Sequence, residues 1–166
     1  MYSSAHDDYV DFLIRRIDDG LVSTRLSSCQ PGETVEISGP FGEFCLDERH
    51  IASRHFVFIA SGTGIAPFHS FVKTYPSLRY QVLHGVRFED EQYDAQDYAN
   101  GTYVSAISKP KENASGQRIT DILLSFAFPE DPLFYLCGNQ KMIVDAIEIL
   151  RSRKVAGGSI FTETFF

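Results

Sequence analysis

Residues 61–67 read Ser-Gly-Thr-Gly-Ile-Ala-Pro and follow directly on the apolar run His55–Ala60. Glycines in such a turn let backbone N–H groups approach an anion closely, and the start of a following helix, with its unpaired amides and dipole, favours negative charge. Gly62 and Gly64 stand where the pyrophosphate turn G-x-G-x-x-G has its first two glycines, with Pro67 in place of the third. Proline suits the first turn of a helix, where its missing N–H costs nothing, so it is no defect here. A tight strand-to-helix turn that binds nothing would use the same residues. Cys137 ends a second apolar run, Leu133–Leu136. That is where open α/β sheets place groups that touch a ligand, although a free cysteine also packs as a small core hydrophobe.

Strands are expected at His55–Ala60, Tyr80–Gly85, Thr102–Ala106, Leu133–Leu136 and Ser159–Thr162, with helices at Ala66–Thr74, Ile119–Phe126 and Gln140–Arg153. This alternation predicts an α/β domain, a parallel five-stranded sheet with helices on both faces. The acidic stretch from Asp90 to Asn100 is expected to be a short helix with a loop. Residues 1–50 have another rhythm. Tyr9–Ile17 and Thr34–Ser38 alternate as strands do, around the turn Asp18-Asp19-Gly20. Two or three strands cannot close a barrel or bury a core by themselves.

The chain has 166 residues and a net charge of −7, with the acidic excess concentrated in residues 1–50. It has no basic stripe of the kind a nucleic acid requires. No apolar run approaches the roughly 20 residues that span a bilayer, and the first residues lack the basic and apolar regions of a signal peptide. The expectation is a cytoplasmic protein with no nucleic-acid or membrane partner, a monomer or weak dimer. Cys29, Cys45 and Cys137 are odd in number and lack C-x-x-C spacing, and the five histidines are scattered. Neither a disulfide framework nor a metal site is indicated. The sequon at Asn113 means little in a cytoplasmic chain.

Four stretches come in a telling order: Ser61–Pro67, Leu83-His84-Gly85-Val86-Arg87, Tyr135–Met142, and the end Glu163-Thr164-Phe165-Phe166. Together they resemble the ferredoxin-NADP reductase family, bacterial type, and the resemblance runs end to end. Tyr2-Ser3 resembles the close of that family's flavin motif R-x-Y-S. Gly20-Leu21-Val22-Ser23-Thr24 resembles its pyrophosphate-binding turn and helix, and Gly39–Phe44 the close of its flavin barrel. The resemblance implies a Rossmann-like NADP domain at 51–166, preceded at 1–50 by the C-terminal strands of a β-barrel FAD domain. The motif's arginine would fall one residue before Met1, so the sequence is expected to lack the earlier barrel strands and to hold FAD weakly. The implied chemistry is hydride transfer between NADPH and FAD, with ferredoxin or flavodoxin as electron partner.

The family's site residues carry over by position. Ser3 would offer its hydroxyl near the flavin N5, Cys137 would lie against the nicotinamide, and Glu163 would poise the site for proton traffic. Gly62, Thr63, Gly64 and Gly138 would line the dinucleotide, with Met142 beside the nicotinamide. Phe165 would cover the flavin ring and Phe166 extend toward the adenine. Arg87, Ser108, Lys109 and Arg118 match the positions that hold the 2′-phosphate of NADP, which attracts cations and hydroxyl donors. Each residue also has a plainer reading: a terminal serine, a capped helix behind Asn139, aromatics docked on the core, solvated surface charge. Glu89-Asp90-Glu91 keeps NAD open, since an acid after the second strand suits a free ribose hydroxyl. The alternatives are an NADP-binding module without flavin and an NADH-dependent flavin reductase component of an oxygenase system.

Overall fold

The computed structural model describes residues 1–39, 41–111 and 115–165. Phe166, Pro40 and the Asn113 sequon lie outside the described residues. Two short helices come first, α1 (Leu21–Ser27) and α2 (Glu48–Ile51). Then follow β1 (His55–Ser61), α3 (Ala66–Thr74), β2 (Tyr80–Val86), β3 (Tyr103–Ile107), α4 (Ile119–Ser125), β4 (Pro132–Gly138), α5 (Gln140–Ser152) and β5 (Ile160–Thr164). The acidic stretch forms two 3₁₀ turns, Glu89–Glu91 and Ala95–Asp97, rather than one helix.

The five strands make one parallel sheet in the order β3-β2-β1-β4-β5. β1 is central because its run Phe56-Val57-Phe58-Ile59-Ala60 has no polar residue to turn outward, and all five are fully buried. The chain winds outward from β1 to β3, then crosses back to β4 on the other side. That reversal opens a crevice at the C-terminal ends of β1 and β4, the place where open α/β sheets take ligands.

The two faces of the sheet differ in chemistry. One packs Phe56, Phe58, Phe68, Tyr98 and Tyr135 around Val82 and Cys137, with Tyr75, Tyr80, Tyr93 and Tyr103 at its margin. The other is mainly aliphatic, with Val57, Ile59, Leu83, Leu136, Ile143 and Leu150 at its centre. Helix α5 lies on the aliphatic face, started by Asn139, whose side chain accepts from the Lys141 N–H.

Among the described residues before His55 no strand forms. Tyr9, Val10, Phe12, Ile14, Ile17, Val35 and Ile37 are about half exposed. The expectation of strands at Tyr9–Ile17 and Thr34–Ser38 rested on alternating side chains. A ladder also needs a run of bonds to a neighbouring backbone, and among the described residues Tyr9–Ile17 receives a bond from the Tyr2 N–H to Asp11 O (2.8 Å) without a ladder following it. The first residues dock instead on α3. The Tyr2 ring stacks on His69 at 3.8 Å and 8°, its hydroxyl donates to Asp94 (2.7 Å), and the Ala5 N–H donates to Thr74 Oγ1 (2.9 Å).

Candidate functional site

The Ser61–Pro67 turn closes over the crevice as a 3₁₀ turn, Gly62–Ile65, that runs directly into α3, with Pro67 in the first helical turn. Its two glycines serve different ends. Gly62 has φ +54°, and a Cβ there would meet nothing within 4 Å, so the turn is open to a ligand on that side. Gly64 is packed shut: a Cβ would fall on the Cys137 carbonyl oxygen and come within 2.6 Å of the Gly138 Cα. Gly138, at φ +132°, has no room either, because Ser61 lies against it. The Ser61 hydroxyl in turn accepts from the Asn139 N–H (2.9 Å). Gly64 and Gly138 thus join the ends of β1 and β4, and Gly62 faces outward. The first amides of such a turn have no partner within it, which makes the open side a donor surface for an anion. Thr63 lies between the two glycines, half-buried.

The cationic positions gather at the neighbouring ends of β2 and β3. The ladder runs one step past both strands, with Ser108 N–H donating to Val86 O (2.9 Å) and Lys109 N–H to Arg87 O (2.8 Å). On the far side of β3 the Gln117 N–H donates to Ile107 O (2.8 Å). A Cβ on Gly116 would collide with the Ser108 carbonyl, so this strand end and the start of α4 are in close contact. Arg118 is the N-cap of α4, and the first residue of that helix, Ile119, covers Gly85 of β2. Arg87, Lys109 and Arg118 are exposed, and among the described residues none is in an ion pair. The Ser108 hydroxyl donates to Val86 O (3.1 Å). The acids nearby are partly committed. Glu91 accepts from the Arg87 N–H (2.7 Å) and the Phe88 N–H (3.3 Å). Glu89 accepts from the Lys111 N–H (3.0 Å) through Oε1, while its Oε2 is buried with no partner among the described residues.

Cys137 and Glu163 are register partners on β4 and β5. The thiol is fully buried, and burial, with the Glu163 carboxylate adding to it, pushes its pKa up to about 12. It stays a thiol at neutral pH. Phe165 extends the β5 ladder, its N–H donating to Gly138 O (2.9 Å), and packs against the aromatic face. Met142 packs against the aliphatic face, so the structure sets it on the opposite side of the sheet from Cys137. Ser3 is buried, and its Oγ accepts from the Asp11 N–H (3.0 Å), which leaves its own hydrogen to donate.

In the Gly20–Thr24 turn no side chain caps the start of α1, whose Leu21 and Val22 point into solvent. A Cβ on Gly20 would strike the Ser23 hydroxyl, which sits there to accept from the Ile17 N–H (3.1 Å). Thr24 reaches Ile17 O as well (3.3 Å). These hydroxyls hold the turn, and the helix amides are left to an anion.

Two histidines escaped notice as site residues. His69 is buried in α3 under Tyr2, bonded to the Tyr2 carbonyl (2.8 Å) and to Asp97 (3.0 Å). His84 is fully buried on β2 and bonded to Gly62 O and the Tyr103 hydroxyl, each at 2.8 Å. The sequence showed His84 only as a letter in Leu-His-Gly-Val-Arg; a histidine in an otherwise apolar strand beside a glycine turn was the available signal. A groove of about 540 Å³ lined by His55, Gln81, Phe126 and Phe128 lies at the opposite, N-terminal ends of β1 and β2. Among the described residues no helix is long and apolar enough to cross a membrane, and no group of three or more His, Cys, Asp or Glu side chains could hold a metal.

Residues 1–45 match the oxidoreductase FAD-binding domain family and residues 58–148 the oxidoreductase NAD-binding domain family. One of the subunits of the Na(+)-translocating NADH-quinone reductase of Klebsiella pneumoniae is 30% identical over 167 residues, covering 88% of this chain and 40% of that protein. The chain thus spans about 40% of the length of the curated relatives it matches. A ferredoxin NADP+ reductase from Neisseria gonorrhoeae, crystallised with FAD and NADP, superposes with a TM-score of 0.74 at 25% identity, over 90% of this chain and 72% of that one. A cytochrome P450 reductase from Amycolatopsis gives 0.76 at 25% identity, over 92% and 50%.

Proposed function

The chain belongs to the ferredoxin-NADP reductase family of FAD- and NAD-binding oxidoreductases, and we propose that it transfers a hydride between NADPH and FAD. The observation that carries the choice of NADPH is the set of three exposed cations, Arg87, Lys109 and Arg118, free of ion pairs among the described residues at adjoining element ends. Such a set suits a 2′-phosphate of charge near −2. The open side of the Gly62 turn would take the pyrophosphate, and the uncapped start of α1 that of FAD.

FAD, when bound, supplies the hydride acceptor. This chain's residues position and screen. Cys137 offers a compact neutral thiol at the end of β4, and Glu163 stands beside it as the nearest carboxylate on β5. Ser3 has a hydroxyl hydrogen to give to a ring nitrogen, and Phe165 shields the end of the aromatic face. The division near Ile51, a cytoplasmic location, and ferredoxin or flavodoxin as electron partner complete the proposal.

The test is titration calorimetry with NADPH and NADH, followed by anaerobic bleaching of added FAD by each. Tighter binding of NADPH, and bleaching by it, is the expected result. Equal affinity, or none, overturns the phosphate assignment. The buried, unpartnered Oε2 of Glu89 favours a second reading: an acid there could accept a free ribose hydroxyl, and a preference for NADH in the same titration would establish it.

A further inference from the structure

We propose that His84 is a positioning residue that latches the Gly62–Thr63 peptide, so that the turn presents an amide rather than a carbonyl to the nucleotide phosphates. The role rests on the nucleotide reading above. A carbonyl oxygen can only accept, so the 2.8 Å contact with Gly62 O puts the hydrogen on Nε2. In the neutral ring Nδ1 then carries a lone pair, which takes the hydroxyl hydrogen of Tyr103 at 2.8 Å. The relay runs Tyr103 to His84 to Gly62, and both ring nitrogens are satisfied. Burial holds the imidazole down at about 4, so it is neutral at any working pH.

The consequence follows from peptide geometry. In a trans peptide the C=O of one residue and the N–H of the next point in opposite directions. With the Gly62 carbonyl held inward against β2, the Thr63 N–H is turned to the other side of the turn, the side from which the nucleotide reading brings the phosphate. Glycine, however, is the residue least able to hold one peptide orientation by itself. Gly62 sits at φ +54° with no atom within 4 Å of where a Cβ would be, so contacts on that side do not restrain it. Loss of the latch leaves the peptide to the short 3₁₀ turn alone, whose i→i+3 bonds are poorly aligned, and a flip would aim a carbonyl oxygen at the phosphate. The openness that admits the ligand is what requires the latch.

The experiment compares NADP⁺ with adenosine 2′-monophosphate, which engages the cation set but has no pyrophosphate. His84→Leu is expected to weaken NADP⁺ at least tenfold while adenosine 2′-monophosphate stays within twofold. His84→Gln, whose amide N–H can reach the same carbonyl, recovers most of the loss. Equal weakening of both ligands, or of neither, overturns the latch. A wild-type chain that binds adenosine 2′-monophosphate but not NADP⁺ also overturns it, whereas a wild type that binds neither overturns the nucleotide reading from which the role derives. Should His84→Leu not fold, Tyr103→Phe removes the donor to Nδ1 at nearly constant volume and is expected to weaken NADP⁺ about threefold; unchanged affinity counts against the relay. Nitrogen-15 spectra of the wild-type imidazoles need no variant: His84 is expected as the Nε2–H tautomer from pH 8 to 6. A Nδ1–H tautomer or an imidazolium in that range overturns the geometry.

Discussion

Alanine at Gly64 is expected to destabilise the chain more than alanine at Gly62, the reverse of what backbone conformation alone suggests. Gly62 has the left-handed φ of +54°, which costs an alanine about 1–2 kcal/mol. Its new methyl meets no atom, so nothing adds to that. Gly64 is in an ordinary conformation, and there alanine gains about 0.4–1 kcal/mol by restricting the unfolded chain. Its Cβ, however, would fall on the Cys137 carbonyl oxygen and 2.6 Å from both the Cys137 carbon and the Gly138 Cα. These are backbone atoms of a strand held by β1 and β5, unable to yield as a side-chain tip can. Overpacking a core costs about 1–3 kcal/mol, and occasionally more. A rigid backbone target puts this case at or above the upper end, for a net loss of about 2–3 kcal/mol. Urea unfolding followed by far-ultraviolet circular dichroism measures it: at a slope of about 2 kcal/mol per molar, Gly64→Ala lowers the midpoint by more than about 1 M. A loss smaller than that of Gly62→Ala would refute the steric argument and with it the junction of β1 and β4.

Substituting Arg87, Lys109 or Arg118 by alanine is each expected to narrow the NADPH-over-NADH preference about tenfold, ~1.4 kcal/mol, with NADH binding unmoved; calorimetry on the three variants reads it. The unfolded chain takes up a proton at His84 near pH 6.5 that the folded chain refuses until about pH 4. Stability from this group is therefore complete above about pH 6.5 and falls by about 3 kcal/mol on acidification through that window. His84→Gln should flatten this part of the pH profile, and an unaltered slope would locate it elsewhere. His69→Ala removes the Tyr2 stack, about 0.5–1.5 kcal/mol, and the bond to the Tyr2 carbonyl, about 1 kcal/mol. Hydrogen exchange at the Ala5 and Asp11 amides should accelerate at least tenfold while β1 and β4 amides keep their protection. With a thiol-disulfide reagent the native chain should show fast reaction at exposed Cys45, slower reaction at half-buried Cys29, and none at Cys137 until urea unfolds it. A third thiol reacting in the native state would contradict the burial.

The sheet was legible because its signals are local. His55–Ser61 can be nothing but a buried strand, Pro67 and Asn139 mark helix starts by their own chemistry, and the strand ends fell within a residue or two of expectation. What was not legible depends on partners far along the chain. Gly64 reads as a ligand glycine until Cys137, 73 residues on, is seen lying under it. Met142 was expected beside the nicotinamide, and the phase of α5, which packs it on the aliphatic face, cannot be read from its neighbours in sequence. Tyr9–Ile17 shows the alternation of a strand, which records which side chains share a side and not whether a backbone lies alongside. His84 meets Gly62 and Tyr103 from 22 and 19 residues away, and no spacing rule announces such a relay.

The uneven division of aromatic residues between the sheet's faces has an optical consequence. The chain contains eight tyrosines and no tryptophan, so its intrinsic emission is tyrosine emission alone. Six of the eight belong to the Cys137 face, Tyr2 stacks on His69, Tyr9 is exposed, and the opposite cluster has none. Light from the native protein therefore reports on one side of the sheet. A chromophore arriving over Cys137 would dim it, while rearrangement around α5 would pass unseen, so quenching without any label can tell an event on one face from an event on the other.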